Sequence, residues 1–153
     1  RYYHDVVGCN SRLDAIQAAI LDIKLKHLDS YIDARRNAAD FYDNAFMGID
    51  ALETPFRAKN SKHVFHQYTL ILHNVDRDAL HAFLAEQGVP SMIYYPVPAH
   101  RQKMFDAFGG NSYQLPDTDW LTERVISLPM HTELDEEQQM QIIEKVKAFV
   151  FKS

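Results

Sequence analysis

The sequence has almost no cysteine and no long apolar run. Cys9 is the only cysteine among 153 residues, which excludes an internal disulfide and gives no sign of an oxidising compartment. No stretch approaches the ~20 consecutive apolar residues that a membrane-spanning helix needs. These absences predict a cytoplasmic protein. The sequence around Cys9 offers no evident base to activate it, so we interpret its side chain as a small apolar filler.

Clusters of positive charge are lacking as well. The formal net charge is -5. The basic pairs Lys24/Lys26 and Arg35/Arg36 are separated from other basic residues by acidic and apolar residues. Proteins that bind nucleic acid or anionic membranes usually carry clustered Lys and Arg. We therefore expect neither nucleic acid nor a membrane as a partner.

Sequence motifs that identify an active site directly are also missing. There is no glycine-rich dinucleotide or phosphate loop and no Gly-x-Ser-x-Gly element. His63 and His66 lie three residues apart in a predicted strand, where that spacing places them on opposite faces. We therefore predict no metal site, and no catalytic residue can be assigned from a local motif.

The pattern of apolar residues predicts an α+β fold. Two long helices come first, opened by a capping box of Ser11 and Asp14 and ended by Gly48. The first helix carries two apolar stripes, which predicts contact with another domain or subunit; they comprise Leu13, Ile16, Ile20 and Ile23, and Leu21, Leu25, Leu28 and Ile32. The remainder predicts a small mixed sheet with helices packed on it, with strands at 63–73, 91–95 and 125–128 and helices at 76–87, 118–124 and from 135 onwards.

Two local features point to binding. Gly8-Cys9-Asn10-Ser11-Arg12 precedes the first helix, where Asn10 and Arg12 suit an anion site, although a helix cap with a solvated arginine explains the same residues. Tyr94-Tyr95-Pro96-Val97-Pro98-Ala99-His100 places two tyrosines at a strand end fixed by prolines. The pair can offer ring faces and hydroxyls to a sugar or a base, or one ring can pack inward while the other lies on the surface.

Both features, in this order, resemble the C-terminal part of the DegT/DnrJ/EryC1/StrS sugar aminotransferases. The resemblance covers nearly the whole chain and includes Gly8 to Asp14, Gln17 to Leu21, Arg35 to Ala38, His63 to Tyr68, Arg77 to Leu80, Gly88 to Pro90, Tyr94 to His100, Leu128 to His131 and Asp135 to Gln138. It implies the small C-terminal domain of a fold-type I, aspartate-aminotransferase-like enzyme that uses pyridoxal 5'-phosphate. It further implies that residues 1–48 are a loop and connector helices, which link to a large domain and contact a second subunit, and that residues 49–153 are the small domain.

The resemblance also implies roles for individual residues. Asn10 matches an asparagine that reaches the cofactor phosphate of the neighbouring subunit in a homodimer, and Arg12 matches an arginine near the substrate. Tyr94 and Tyr95 match a pair lining the nucleotide-sugar pocket, with Tyr94 in a slot that is histidine in some members, and His100 is a weaker substrate-binding candidate. The lysine that holds the cofactor covalently would lie before Arg1, in a longer parent chain. No catalytic residue is therefore expected within this piece, which we expect to be inactive alone.

The implied reaction transfers an amino group from glutamate to a keto group of a nucleotide-linked sugar, as in bacterial surface-polysaccharide or glycoside biosynthesis. A second possibility is a pyridoxal-phosphate-dependent deoxysugar dehydratase of the same family, which has histidine in place of the anchoring lysine. A third is a non-catalytic interaction module that binds a partner through its doubly striped helix.

Overall fold

A computed structural model of the chain describes residues 3–152. Positions 1, 2 and 153, at the outer ends of the two predicted segments, lie outside the described residues. The α-helices are Ala15–Leu25 (α1), Leu28–Phe46 (α2), Arg77–Glu86 (α3), Pro116–Thr122 (α4) and Glu136–Val150 (α5). The strands are Leu52–Glu53 (β1), Tyr68–Leu72 (β2) and Val125–Leu128 (β3). This arrangement confirms the α+β fold.

The three strands form one sheet in the order β1-β2-β3, and both pairs are antiparallel. The expectation of a mixed sheet is therefore wrong in strand direction. Val125, at the start of β3, pairs with Ile71, near the end of β2, so the chain enters β3 from the end of the sheet at which it left β2. Residues between the two strands form α3, a single bridge from Met92 to Ser127 of β3, a loop and α4.

The core lies between one face of this sheet and three of the helices. Along β2 the side chains alternate, so that Tyr68, Leu70 and Leu72 are buried while Thr69 and Ile71 are half-buried. The buried side chains that complete the core come from α2, α3, α5 and β3: Ala39, Tyr42, Phe46, Leu80, Leu84, Ile126, Leu128, Ile142, Ile143 and Val146. The second helix thus belongs to the same packed body as the sheet.

Buried polar contacts fix the second helix in place. The Tyr42 hydroxyl donates to the Pro129 carbonyl at 3.1 Å, and the Gln139 side-chain amide donates to the Ala38 carbonyl at 2.9 Å. These bonds join α2 to the end of β3 and to α5. Because a buried polar group without a partner is costly, each bond also fixes the register between its two elements.

The first helix differs from the prediction in its start, its length and its packing. Asp14 is the N-cap, since its carboxylate accepts from the Gln17 amide at 2.8 Å, and Ser11 lies before the helix. A turn at Lys26 and His27 divides the predicted long connector into α1 and α2. No residue of α1 is buried within this chain, and Ile16 is 76% exposed. Apart from Ile32, which lies in α2 and is half-buried, the two apolar stripes are exposed among residues 3–152.

Three further boundaries differ from the sequence expectations. The strand predicted at 63–73 begins only at Tyr68, because Phe65 adopts a positive φ of 47° that a continuous strand cannot accommodate. The strand predicted at 91–95 is reduced to the Met92 bridge. Short 3-10 helices at Ala99–Arg101, Lys103–Phe108 and Gly110–Ser112 occupy the predicted loop. Among the described residues, no helix is both long and apolar enough to cross a membrane.

Candidate functional site

Tyr94 and Tyr95 line an open cavity of about 280 Å³. Tyr94 is half-buried, whereas Tyr95 is 59% exposed, and their rings meet edge-on with centroids 5.7 Å apart. One ring is thus more enclosed than the other, and both line the cavity. Ring faces and hydroxyls in such a place suit a ligand that is partly apolar and partly polar, such as a sugar or a base.

The cavity lies between two walls. One wall is the segment after the tyrosines, with Val97, Pro98 and Ala99, and the other is α4 together with the start of β3, which contribute Thr118, Leu121, Thr122 and Val125. The lining residues include no lysine. The volume falls just below the ~300–1,000 Å³ typical of small-molecule sites. A ligand as large as a nucleotide-linked sugar therefore needs further walls from outside these residues.

An ion pair joins the two walls. Arg101 follows the 97–99 segment, and its guanidinium donates to both carboxylate oxygens of Asp119 on α4, at 2.9 and 2.6 Å. This bidentate geometry is the strongest and most directional pairing that arginine makes with a carboxylate. The hydrogen bond from Arg101 holds the pKa of the Asp119 carboxyl below its usual value, so the carboxylate is charged at neutral pH.

His100 approaches the same carboxylate from the buried side. Its side chain is only 9% exposed, and its Nε2 lies 3.6 Å from Asp119 Oδ1, beyond hydrogen-bond reach. Among the described residues this nitrogen is buried and has no hydrogen-bond partner. The structure thus places His100 behind the cavity wall, against Asp119, and not among the lining residues. Its assignment to substrate binding remains a prediction.

Asn10 and Arg12 lie on the extended segment that leads to α1, and both side chains are exposed. Asp14 occupies the cap position, so Asn10 does not cap the helix, and the cap explanation offered for this segment applies to Asp14 instead. An exposed carboxamide and an exposed guanidinium two positions apart in the sequence suit a phosphate group supplied from outside this chain. These residues fit the phosphate of the cofactor that the resemblance implies. Cys9, on the same segment, is also exposed, so its interpretation as an apolar filler is wrong.

The N-terminal segment is attached to the loop that follows the tyrosine pair. The His4 amide donates to the Gln102 side-chain oxygen at 3.0 Å, and the His4 carbonyl accepts from the Met104 amide at 2.9 Å. Lys103 and Asp5 form an ion pair at 3.1 Å beside these bonds. The buried Gln102 also donates to the Val97 carbonyl at 3.4 Å. One set of contacts therefore links the segment bearing Asn10 to the wall of the tyrosine cavity.

A metal centre and a second cavity are the alternatives to the tyrosine cavity. Residues 3–152 contain no group of three His, Cys, Asp or Glu side chains placed to hold a metal ion. A polar cavity of about 480 Å³ lies between the β2–α3 turn and α4, where the Arg124 guanidinium covers the Trp120 ring at 4.8 Å from its centroid. Since arginine already occupies one face of that ring, the tyrosine cavity is the better candidate for a ligand.

The chain matches the model of the DegT/DnrJ/EryC1/StrS aminotransferase family over residues 1–147. The chain belongs to this family. Its DegT-family relatives include a protein of Acidithiobacillus ferrooxidans named UDP-N-acetyl-3-dehydro-alpha-D-glucosamine 3-aminotransferase. That protein is 47% identical over 137 residues, which are 90% of this chain and 36% of the relative. Another relative, the pleiotropic regulatory protein of Geobacillus stearothermophilus, is 44% identical over 97% of this chain and 40% of its own length.

Solved structures give the same result for the fold. DesV of S. venezuelae, determined in complex with a ketimine intermediate, superposes with a TM-score of 0.82 at 32% identity, covering 98% of this chain and 40% of that one. This chain thus spans about two fifths of the length of its DegT-family relatives. The expected family and the α+β fold are both confirmed, and members of the family are pyridoxal-phosphate enzymes.

Sequence reasoning missed the contacts that join the cavity walls to each other and to the N-terminal segment. Arg101 and Asp119 are 18 positions apart, and Gln102 meets His4 across 98 positions, so no local spacing signals either contact. Only the chain path, which brings α4 opposite the 97–101 segment, reveals these pairs. The tyrosines were detectable because two adjacent aromatic residues before a Pro-x-Pro element are visible in the sequence itself.

Proposed function

We propose that the protein containing this chain is a pyridoxal-phosphate-dependent aminotransferase that transfers an amino group from glutamate to a keto group of a nucleotide-linked sugar. The observation that carries the proposal is the 47% identity to a relative named as a nucleotide-sugar aminotransferase. The aromatic cavity supports the sugar-nucleotide part, because stacked or edge-on tyrosines suit sugar and base faces.

In this proposal the chain holds the cofactor through its phosphate. Asn10 is the residue assigned to that contact, and it would serve the cofactor of a second subunit in a homodimer. Pyridoxal phosphate supplies the electron sink for moving an amino group, while the protein supplies binding and orientation. The exposed position of Asn10, ahead of the Asp14 cap, supports a contact made outside this chain.

Substrate binding is assigned to Arg12, Tyr94 and Tyr95. A guanidinium forms bidentate pairs with carboxylates or phosphates. Glutamate offers carboxylates, and a nucleotide-linked sugar offers phosphates. Tyr95 is the more exposed of the two tyrosines and therefore presents more of its ring to a ligand. His100 is a weaker candidate for substrate binding, because its ring faces Asp119.

The division of the chain follows from the same proposal. Residues 1–48 would link residues 49–153 to the rest of the parent protein and to a second subunit, although α2, within that first segment, also packs into the core of the small domain. The exposed apolar stripes of α1 support this, because a soluble monomer rarely leaves a contiguous apolar surface of this kind uncovered.

The proposal is tested on the full-length protein with Asn10→Ala. Removal of a hydrogen bond to a charged phosphate costs about 1.5–3 kcal/mol, so the Kd for pyridoxal phosphate should rise by about 10- to 150-fold. Titration of the apoprotein by cofactor absorbance measures this change. Asn60→Ala is the matched control, since Asn60 is an exposed asparagine in another part of the chain.

The reaction is tested by supplying UDP-linked and dTDP-linked keto-sugars with glutamate and detecting the amino-sugar by mass spectrometry. Formation of the amino-sugar together with 2-oxoglutarate supports the proposal. Consumption of the sugar nucleotide without an amino product would favour the dehydratase. An unchanged Kd in Asn10→Ala would remove Asn10 from the cofactor site.

A further inference from the structure

The ion pair between Arg101 and Asp119 lies beside the tyrosine cavity, and the buried ring of His100 lies behind it. Arg101 lies two residues after Ala99, which lines one wall, and Asp119 lies next to Thr118, which lines the other. We define these three residues, His100, Arg101 and Asp119, as the carboxylate clamp. Its ion pair, between Arg101 and Asp119, connects the two walls of the cavity.

The three members of the clamp meet the solvent differently. The Arg101 side chain is 42% exposed and that of Asp119 is 30% exposed, whereas His100 is buried. The Asp119 carboxylate therefore accepts two hydrogen bonds from Arg101 on the solvent side, and the His100 imidazole lies on its buried side. Gly110 lies close to the wall bearing His100, since a Cβ at Gly110 would be 2.5 Å from the His100 carbonyl oxygen.

We infer that the carboxylate clamp sets the width of the tyrosine cavity, so that Arg101 and Asp119 act as positioning residues for the ligand bound there. The inference rests on the proposed function for the identity of that ligand as a nucleotide-linked sugar. Neither residue lines the cavity, so neither contacts the ligand directly. Their effect is exerted through the separation of the 97–99 segment from α4.

The affinity of the ligand is the quantity that responds to this separation. A wider cavity loses contacts that the ground state and the transition state share, which raises KM while kcat changes little. An exposed ion pair contributes weakly, so the expected rise in KM or Kd is about two- to fivefold. A residue needed only for folding would instead lower the amount of active protein without changing KM.

The experiment compares Asp119→Asn and Arg101→Lys with the unaltered full-length protein. Asp119→Asn removes the charge, and Arg101→Lys keeps the charge but loses the bidentate fork, so its effect should be smaller. Hydrogen–deuterium exchange of the peptides covering 94–102 and 116–122 should become faster in both variants, and KM for the keto-sugar nucleotide should rise with kcat nearly unchanged. Asp117→Asn is the control, as an exposed acid on the same helix.

The two readouts separate this inference from the proposed function. If the unaltered protein forms no amino-sugar, the proposed function fails, and hydrogen exchange together with the Kd for UDP-N-acetylglucosamine still decides the role of the clamp. Faster exchange with a raised Kd or KM supports the inference. It is overturned if exchange in both peptides matches that of Asp117→Asn, or if exchange becomes faster while KM and Kd stay unchanged.

Discussion

Asp43 joins the second helix to β2 and to the loop that follows β1. Its Oδ1 accepts from the Tyr68 hydroxyl at 2.6 Å, and its Oδ2 pairs with Arg57 Nη2 at 2.6 Å. Burial, reinforced by the hydrogen bond to Asp43, raises the pKa of the Tyr68 hydroxyl, which therefore remains protonated and donates to the carboxylate. Arg57 in turn lies over the Phe65 ring, 4.6 Å from its centroid. The carboxylate thus has a partner on each oxygen.

Replacement of Tyr68 by Phe should show what this contact contributes. The change removes a hydrogen bond to a charged acceptor and leaves the ring in place, so the free energy of unfolding should fall by about 1.5–3 kcal/mol. Denaturant unfolding of the full-length protein, followed by circular dichroism, measures the loss. Tyr113→Phe is the control, because Tyr113 is an exposed tyrosine. Equal effects of the two changes would mean that the Tyr68–Asp43 bond contributes nothing measurable.

At the scale of elements, some boundaries were predictable because local residues determine them. Strand β3 occupies 125–128 as expected, with Pro129 stopping it, and α5 begins at the expected place with a capping box of Asp135 and Gln138. The helix expected from 76 begins likewise with a local cap, since the Asp76 carboxylate accepts from the Ala79 amide at 2.9 Å. Each of these signals lies within four residues of the boundary that it specifies.

The boundaries that sequence reasoning missed are not decided by the apolar pattern or by the type of cap residue alone. Apolar alternation alone predicted a strand through Phe65, whereas the buried Phe65 turns the chain with a positive φ and packs beside Tyr68. The start of α1 was placed at Ser11 because Ser11 and Asp14 have the spacing of a capping box, whereas aspartate is itself a good cap and Asp14 takes that position. The candidate site divides in the same way: its tyrosines were found from sequence, and its walls were not.

The 3-10 loop offers a test at this scale, because Gly110 leaves no room for a side chain. A Cβ at this position would lie 2.5 Å from the His100 carbonyl oxygen and 2.8 Å from the Phe105 Cβ. Gly110→Ala should therefore displace the loop and destabilise the protein by about 1–3 kcal/mol.

Thermal unfolding of Gly110→Ala measures this loss, and Gly8→Ala is the control, since nothing lies within 4 Å of a Cβ built there. A melting temperature equal to that of Gly8→Ala would show that the loop adjusts without cost.

At the scale of the molecule, the contrast between the two helices at the start of the chain is the main feature. The second helix contributes Tyr42 and Phe46 to the core, while α1 buries nothing within the chain. The apolar side chains left exposed on and beside α1 are Leu13, Ile16, Ile20, Leu21, Ile23, Leu25 and Leu28. Since the chain spans about 40% of several DegT-family relatives, the proposed cover for this face is the remainder of the parent protein and its second subunit.

Ile20→Glu in the full-length protein tests that cover. A carboxylate buried without a partner is strongly destabilising, so the variant should lose several degrees of melting temperature or dissociate into smaller species. Differential scanning calorimetry and light scattering measure the two effects. Lys26→Gln changes the net charge equally at an exposed position beside the same helix. A variant indistinguishable from Lys26→Gln would show that this side of α1 faces water in the intact protein.

The attachment of His4 to Gln102 and Met104 has a further consequence for how far Asn10 can reach. Asn10 lies six residues after His4 and four before the Asp14 cap, and a fully extended chain advances at most ~3.6 Å per residue. The chain therefore keeps Asn10 within roughly 22 Å of His4 and roughly 14 Å of Asp14. Any group that Asn10 binds must therefore come within this distance of both anchors.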